Sequence, residues 1–144
     1  MRISALRLAG LAWAFAMAGC ATPPSQNAPE DAVRIVSLNP CSDAILAEVA
    51  PDKLVAVSHY SHDSSASSMP VGEARRWPAT GGSVEEILAA DATMVVSSSF
   101  MPPATRNALG DLGIPVVTLG MSNSVDENLA QVRELAGAVG EPAA

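Results

Sequence analysis

The residues best able to bind a metal or to act as a nucleophile lie in two short stretches of the sequence. One stretch holds His59, His62 and Asp63, which place two imidazoles and a carboxylate close together. Such groups are common ligands of zinc and iron. The surrounding residues lack the regular pattern that would fix a tetrahedral geometry, so we favour a solvated pair of histidines and predict neither a metal site nor a cofactor.

The second stretch holds Cys41, which follows Pro40 where we expect a turn to lead into a helix. A thiolate is favoured near a helix N-terminus, and a base such as His59 within hydrogen-bonding reach would make it a nucleophile. A thiol-dependent hydrolase or transferase is therefore one candidate function, although a small buried cysteine is the commoner explanation. Because the sequence shows no glycine-rich phosphate loop, no Gly-x-Ser-x-Gly elbow and no paired acids with catalytic spacing, we expect no enzyme.

Aromatic residues make up only 3% of the chain, so each one is informative. Tyr60 and Trp77 flank a long stretch that is rich in serine. An aromatic face excludes water from a flat ligand and offers apolar area with a polar handle. We therefore predict that both rings contact a ligand; the alternative is that they only cover the sheet edge beneath their own loop.

Composition and charge limit the classes of protein and partner. The chain has 144 residues, 49% hydrophobic and 16% charged, which is too short for two ordinary globular lobes and too apolar for a disordered chain. Eight basic residues stand against 15 acidic ones. Without residues 1–19, which hold Arg2 and Arg7 and no acid, six basic residues remain and the net charge is −9. Nucleic acid is therefore not an expected partner.

Residues 1–19 have the pattern of an export signal. Two arginines precede a mostly apolar run over residues 8–18, which is too short to span a bilayer. Met17-Ala18-Gly19-Cys20 resembles the bacterial lipobox, which implies cleavage before Cys20 and lipidation of its sulfur, although that pattern prefers Leu where Met17 stands. Cleavage after Ala18, with soluble release, is the alternative. We favour lipidation because residues 20–32 are polar and Pro-rich, as suits a flexible tether to a membrane.

Short apolar runs predict four strands, and stretches of helical period lie between them. The strands are predicted over 34–38, 54–57, 93–97 and 115–119. The helices are predicted over 43–49, from Ser83 with Val84, Ile87 and Leu88 inward, from Pro102-Pro103 to Gly113, and from Ser124 to Gly140. Residues 59–80 show no periodicity and are predicted to form one long loop.

Strands that alternate with helices predict an α/β fold, a parallel sheet with helices on both faces. The strands are continuous apolar runs, as expected when both faces of a sheet are buried. Ligands of such sheets bind beyond the carboxyl ends of the strands. We therefore predict that Asn39, Pro40 and Cys41 contact a ligand there, beside Tyr60 and Trp77.

Four stretches, taken in order, resemble a known family. They are Arg34 to Pro40 followed by a short helix, Leu54 to Ser58, the block from Gly82 to Leu88 that leads to Asp91 and Met94-Val95-Val96, and Leu112 to Val116. In this order and spacing, behind an export signal, they resemble the substrate-binding proteins of bacterial ABC importers for cobalamin, haem and ferric siderophores. Members of that family have two Rossmann-like lobes joined by one rigid helix, and residues 33–144 are similar to the N-terminal lobe.

The resemblance implies a function and several partners. It implies an exported lobe, periplasmic or held at the cell envelope by a lipid anchor, that captures a metal chelate or corrinoid nutrient for an ABC importer. It also implies that Glu85 docks against arginines of the importer's membrane subunit, whereas a plain helix N-terminal acid is the alternative. The second lobe of the family is absent from this sequence, so a non-functional lipoprotein fragment is a further alternative.

Overall fold

The structure is a computed structural model that describes residues 32–141. The predicted export signal over 1–19, the predicted lipidation site Cys20 and nearly all of the predicted tether over 20–32 lie outside the described residues. Within residues 32–141, no helix is long and apolar enough to cross a membrane.

A five-stranded parallel sheet forms the centre of the lobe, which confirms the predicted α/β fold. Its strands are β1 (Ile35–Ser37), β2 (Leu54–Ser58), β3 (Ala79–Thr80), β4 (Met94–Ser98) and β5 (Val116–Leu119). They pair in the order β3-β2-β1-β4-β5, and every pair is parallel. Because all strands run the same way, the loops that follow them meet at one edge of the sheet, which we call the carboxyl rim.

Among the described residues, four α-helices and one short 3₁₀ helix connect the strands, and a fifth α-helix follows the last strand. The α-helices are α1 (Pro40–Val49), α2 (Val71–Ala74), α3 (Val84–Ala89), α4 (Pro103–Asp111) and α5 (Val125–Ala138), and the 3₁₀ helix covers His59–His62. The region predicted as one long loop, 59–80, therefore holds the 3₁₀ helix, α2 and β3. These elements are too short to show a period in the sequence.

The helix ends follow the predicted capping signals. The Ser83 side chain accepts from the Glu86 N–H while the Glu86 carboxylate accepts from the Ser83 N–H, which completes the capping box of α3. These bonds lower the pKa of Glu86. In α5 the Ser124 side chain accepts from the Glu127 N–H. The capping box that these two residues predict is incomplete, because the Glu127 carboxylate accepts from the Asn123 N–H rather than from the Ser124 N–H. The first helix begins earlier than predicted because Asn39 caps it and Pro40 takes its first position.

Two apolar clusters cover the two faces of the sheet. Alternate residues of β1 point to opposite sides, so Ile35 joins the cluster under α1 and α5 while Val36 joins the cluster under α3 and α4. Of the residues predicted to point inward from α3, Ile87 is fully buried, as predicted, but Leu88 is 46% exposed. With only six residues, α3 presents one narrow face to the sheet, and Leu88 lies outside it.

Candidate functional site

Two neighbouring cavities open on the carboxyl rim. The Cys41 cavity, of about 380 Å³, is lined by residues that include Asn39, Cys41, Phe100 and Met121. The His59 cavity, of about 400 Å³, is lined by residues that include His59, Tyr60, Gly82 and Phe100. Ser98 and Phe100 line both, so the two cavities are neighbours with Phe100 at their boundary.

Tyr60 lies where the sequence predicted a ligand contact. Its side chain is 54% exposed, and its ring lies against the His59 ring with the centroids 4.0 Å apart. The Ser58 side chain caps the turn by accepting from the Tyr60 N–H (3.3 Å). His59 Nδ1 lies 3.3 Å from the Thr80 carbonyl oxygen; when Nδ1 carries the proton and donates to that oxygen, Nε2 is left as an acceptor. The turn therefore presents a pair of rings to the His59 cavity.

The other members of the histidine stretch stabilise the loop. His62 Nε2 lies 3.2 Å from the carbonyl oxygens of both Ala74 and Trp77, so it donates to the backbone. The Asp63 carboxylate accepts from the N–H (2.9 Å) and the hydroxyl (2.8 Å) of Ser65, and these bonds lower its pKa. Within residues 32–141 no three His, Cys, Asp or Glu side chains lie close enough together to hold a metal ion.

Asn39, Pro40 and Cys41 lie together at the start of α1. Asn39 Oδ1 accepts from the Cys41 N–H at 2.8 Å, so this side chain is partly committed to capping the helix. Cys41 is an exposed free thiol, contrary to our expectation of a small buried cysteine, and its Sγ lies 3.6 Å from Ser68 Oγ. That hydroxyl is not a general base at neutral pH, so the contact does not make Cys41 a nucleophile.

Trp77 does not lie on the rim, contrary to the sequence-based prediction. Its side chain is only 8% exposed and packs in the apolar cluster under α1 and α5. The Arg76 guanidinium lies over the ring, 4.8 Å from its centroid. The two-residue strand β3 follows Trp77 almost directly, and its pairing with β2 draws this end of the loop onto the sheet.

Phe100 is the aromatic residue that sequence reasoning left without a role. It follows β4 on the rim, is 76% exposed and lines both cavities. A large apolar side chain gains little by standing in water, so an exposed phenylalanine in a cavity wall indicates a contact surface. Its position directly after a buried strand is the signal that could have identified it.

Gly82 lets the wall of the His59 cavity come close to the sheet. Its φ is +82°, in the left-handed region, and a Cβ there would lie 3.2 Å from the Leu38 side chain. A side chain at this position would therefore be strained and crowded.

The lining of both cavities is uncharged. Serine, threonine, asparagine and glutamine supply its polar side-chain atoms together with His59, Tyr60 and Cys41, and none of the described residues that line either cavity is Asp, Glu, Lys or Arg. Such a surface suits a largely apolar ligand that needs a few hydrogen bonds for orientation. It suits a small, highly charged anion poorly, because that ligand would lose hydration without an opposite charge.

Asp43 lies beneath the site and holds the turn that carries the two rings. It is fully buried, and its Oδ2 accepts from the Ser58 N–H (2.9 Å) and from the Ser61 hydroxyl (2.6 Å). Burial raises the pKa of Asp43 to about 6, although the adjacent Ser37 hydroxyl, the hydrogen bonds from Ser61 and Ser58, and the nearby His62 oppose the rise. The sequence shows this residue only as an acid in the first turn of a helix.

Glu85 lies in the first turn of α3 and is exposed. The capping box uses Ser83 and Glu86, and no hydrogen bond or ion pair engages the Glu85 carboxylate among residues 32–141. The side chain is therefore free to meet a partner.

Comparison with known proteins identifies the family of this fold. A family model described as "periplasmic binding protein" matches residues 35–144. No curated protein matches the chain significantly.

Several solved structures share the fold. The periplasmic haem-binding protein RhuT of Roseiflexus sp. RS-1 is 24% identical with a TM-score of 0.63, over 77% of this chain and 42% of that protein. The periplasmic haem-binding protein HutB of Vibrio cholerae is 21% identical with a TM-score of 0.59, over 74% and 41%. A periplasmic haem-binding protein of Pseudomonas aeruginosa is 22% identical with a TM-score of 0.53, over 74% and 39%. The chain thus spans about two fifths of the length of these structures.

Proposed function

The chain belongs to the periplasmic binding protein family, and from that premise we propose that it is one lobe of an exported solute-binding protein that captures a metal chelate for an ABC importer. The family and the solved neighbours are binding proteins rather than enzymes. The observation that carries the proposal is the pair of neighbouring cavities on the carboxyl rim, which no Asp, Glu, Lys or Arg lines and in whose walls Tyr60 and Phe100 are exposed.

The ligand class is a metallated tetrapyrrole, either haem or a corrinoid. A large macrocycle with apolar faces can lie against exposed rings and needs few polar contacts. The lining fits the apolar faces of such a ligand better than a ferric siderophore of high negative charge, and the two propionates of haem would lie towards solvent or a second lobe rather than against this lining. The solved neighbours are haem-binding proteins, which makes haemin the first ligand to test.

In this proposal the lobe forms one wall of the ligand site, with Asn39, Cys41, Tyr60 and Phe100 as contacts. Pro40, which we also predicted as a ligand contact, takes the first position of α1 between Asn39 and Cys41 but lines neither cavity. We expect a second lobe to supply the opposite wall, because this chain matches only 42% of RhuT and 41% of HutB.

Truncating the rim aromatics is expected to weaken tetrapyrrole binding selectively. Tyr60→Ala and Phe100→Ala should each raise the Kd for haemin about tenfold, because each removes an aromatic contact that contributes about 1 kcal/mol or more. Leu88→Ala is the matched control, since Leu88 is a half-exposed apolar residue that lines neither cavity. Absorbance titration of the full chain measures all four proteins, and equal loss in the Leu88 variant would contradict the proposed site.

We propose, from residues 1–20, that the protein is held at the cell envelope by a lipid on Cys20. Metabolic labelling with a fatty-acid analogue should mark the wild type and leave Cys20→Ala unmarked. Labelling that persists in Cys20→Ala would assign the lipid elsewhere. Export without labelling of either protein would support soluble release after Ala18.

A further inference from the structure

The Asp43 carboxyl holds the wall of the His59 cavity through buried hydrogen bonds and lies beside a second group of hydrogen bonds that reaches the Cys41 cavity. On one side, its Oδ2 holds Ser58 and Ser61, the residues that flank His59 and Tyr60. On the other side, the Ser37 hydroxyl lies beside the carboxyl but bonds to Ser42 Oγ at 2.8 Å. Ser42 Oγ in turn donates to the carbonyl oxygen of Asn39, the residue that caps α1 (2.9 Å). Asn39 lines the Cys41 cavity.

One oxygen of this carboxyl has no partner. Asp43 Oδ1 is buried and accepts no hydrogen bond among the described residues. A proton on Oδ1 could be donated to Ser37 Oγ, because the Ser37 proton is directed to Ser42 and the Ser42 proton to the backbone. The neutral acid therefore completes a chain of hydrogen bonds, whereas the carboxylate gains a partner for Oδ1 only when Ser37 turns its proton away from Ser42.

The charged groups around Asp43 offset little of the free-energy cost of burying its carboxylate. His62 of the 3₁₀ helix is the titratable side chain that acts on it. The strands β1 and β2 face it with Ser37 and Ser58. The remaining charged or titratable groups on α1 and on the helices that pack against it are Cys41, Glu48, His59, Tyr60, Glu73, Asp126, Glu127, Arg133 and Glu134. Of these, Glu73 is partly exposed and lies 3.9 Å from Arg76, and the others are exposed.

We propose that Asp43 is a positioning residue whose neutral form keeps the His59–Tyr60 turn closed and whose ionisation loosens that turn. This inference rests on the proposed function only in its consequence, that rising pH loosens one wall of the ligand site. Ser58 and Ser61 cover Asp43, so we infer that opening the turn admits water to the carboxyl and favours its ionised form.

The direction of the pH dependence follows from linkage. In the closed turn the pKa of Asp43 is about 6, raised from an ordinary 3.8, and in the open turn it returns towards the ordinary value. Closure is therefore most favourable below about pH 4 and weakens as pH rises through 6. Between pH 5 and pH 7.5 the opening equilibrium of the turn should increase about tenfold.

Amide hydrogen exchange in the ligand-free full chain tests this directly. The Ser58 N–H, which donates to Asp43 Oδ2, should lose about tenfold in protection factor from pH 5 to pH 7.5. In Asp43→Asn the change should be less than about twofold, because the amide can hold the turn through its oxygen and donate to Ser37 through its nitrogen at every pH. The same loss in Asp43→Asn as in the wild type would overturn the proposal.

Three further measurements separate the turn from the rest of the fold. In the wild type, the logarithm of the Ser58 protection factor should stop falling within about one pH unit of the Asp43 carboxyl titration observed by NMR, because the linkage slope ends at the pKa of the closed turn; a fall that continues well above that titration would contradict the assignment. Ser58 should exchange faster than Val96 of β4, and equal protection would mean that the turn opens only with the whole fold.

His62→Gln retains a donor for the backbone and should keep the pH dependence, whereas loss of the dependence would assign it to His62. Because no ligand is present, failure of haemin to bind would overturn the proposed function and leave this test intact.

Discussion

Glu85→Ala is expected to weaken complex formation with the importer by about 2–5 kcal/mol. In the proposed complex the exposed Glu85 carboxylate pairs with an arginine of the membrane subunit, and its removal leaves that cation desolvated without a partner. Haemin affinity should not change, because Glu85 lines neither rim cavity. Binding of the lipid-free full chain to the importer in nanodiscs, measured with and without haemin, gives both quantities.

Asp126→Ala is the matched control for Glu85→Ala. Asp126 is also an exposed acid in the first turn of a serine-capped helix, so its removal costs the same favourable interaction with the helix dipole. Only the Glu85 variant should lose binding to the importer, while Tyr60→Ala should lose haemin and retain docking. Equal loss in the Glu85 and Asp126 variants would attribute the effect to general negative charge and contradict a docking role for Glu85.

Asp43→Asn is expected to stabilise the protein at neutral pH by as much as about 3 kcal/mol relative to the wild type. The carboxyl is fully buried, and its pKa is about 6 in the folded chain against an ordinary 3.8, so ionising it in the folded state costs about this amount. The wild type holds this stability below about pH 4 and loses it as pH rises through 6. The advantage of the asparagine variant should therefore grow by about 1.4 kcal/mol between pH 5 and pH 7.5.

Urea unfolding of both proteins at the two pH values measures this difference. Comparing variants cancels the contributions of Asp63 and Glu86, whose lowered pKa values act in the opposite direction and at lower pH. Asp43→Ala is the control that removes the charge and the acceptor together; it leaves Ser58 and Ser61 without their partner and should be destabilising by about 1–3 kcal/mol relative to Asp43→Asn. An advantage of Asp43→Asn that shrinks as pH rises would contradict the account.

Local signals in the sequence predicted the fold where one residue decides the geometry. Ser83 and Ser124 mark the starts of α3 and α5, and Gly113, with a φ of +74°, follows the end of α4. These signals succeed because a cap or a left-handed residue acts within one turn of the chain. The two-residue strand β3 carries no such signal, because its pairing with β2 depends on the tertiary fold.

The candidate site was predicted less completely, because burial depends on distant parts of the chain. Tyr60 and Trp77 flank the same stretch of the sequence, yet only Tyr60 reaches the rim, while β3 draws Trp77 into the core. Phe100 received no role, although it is the more exposed aromatic of the two on the rim. The positioning role of Asp43 could not be predicted, because it depends on Ser58 and Ser61 folding back over α1 to donate to its carboxyl.

The most direct test of the account is equilibrium titration of the purified full chain with haemin, cyanocobalamin and a ferric tris-catecholate, followed by absorbance. The account predicts saturable binding of at least one tetrapyrrole at about one per chain, weakened by Tyr60→Ala and Phe100→Ala, and no saturable binding of the catecholate. Saturable binding of the tris-catecholate alone, or no saturable binding of either tetrapyrrole, would contradict the proposal that the uncharged rim of this lobe receives a metallated macrocycle.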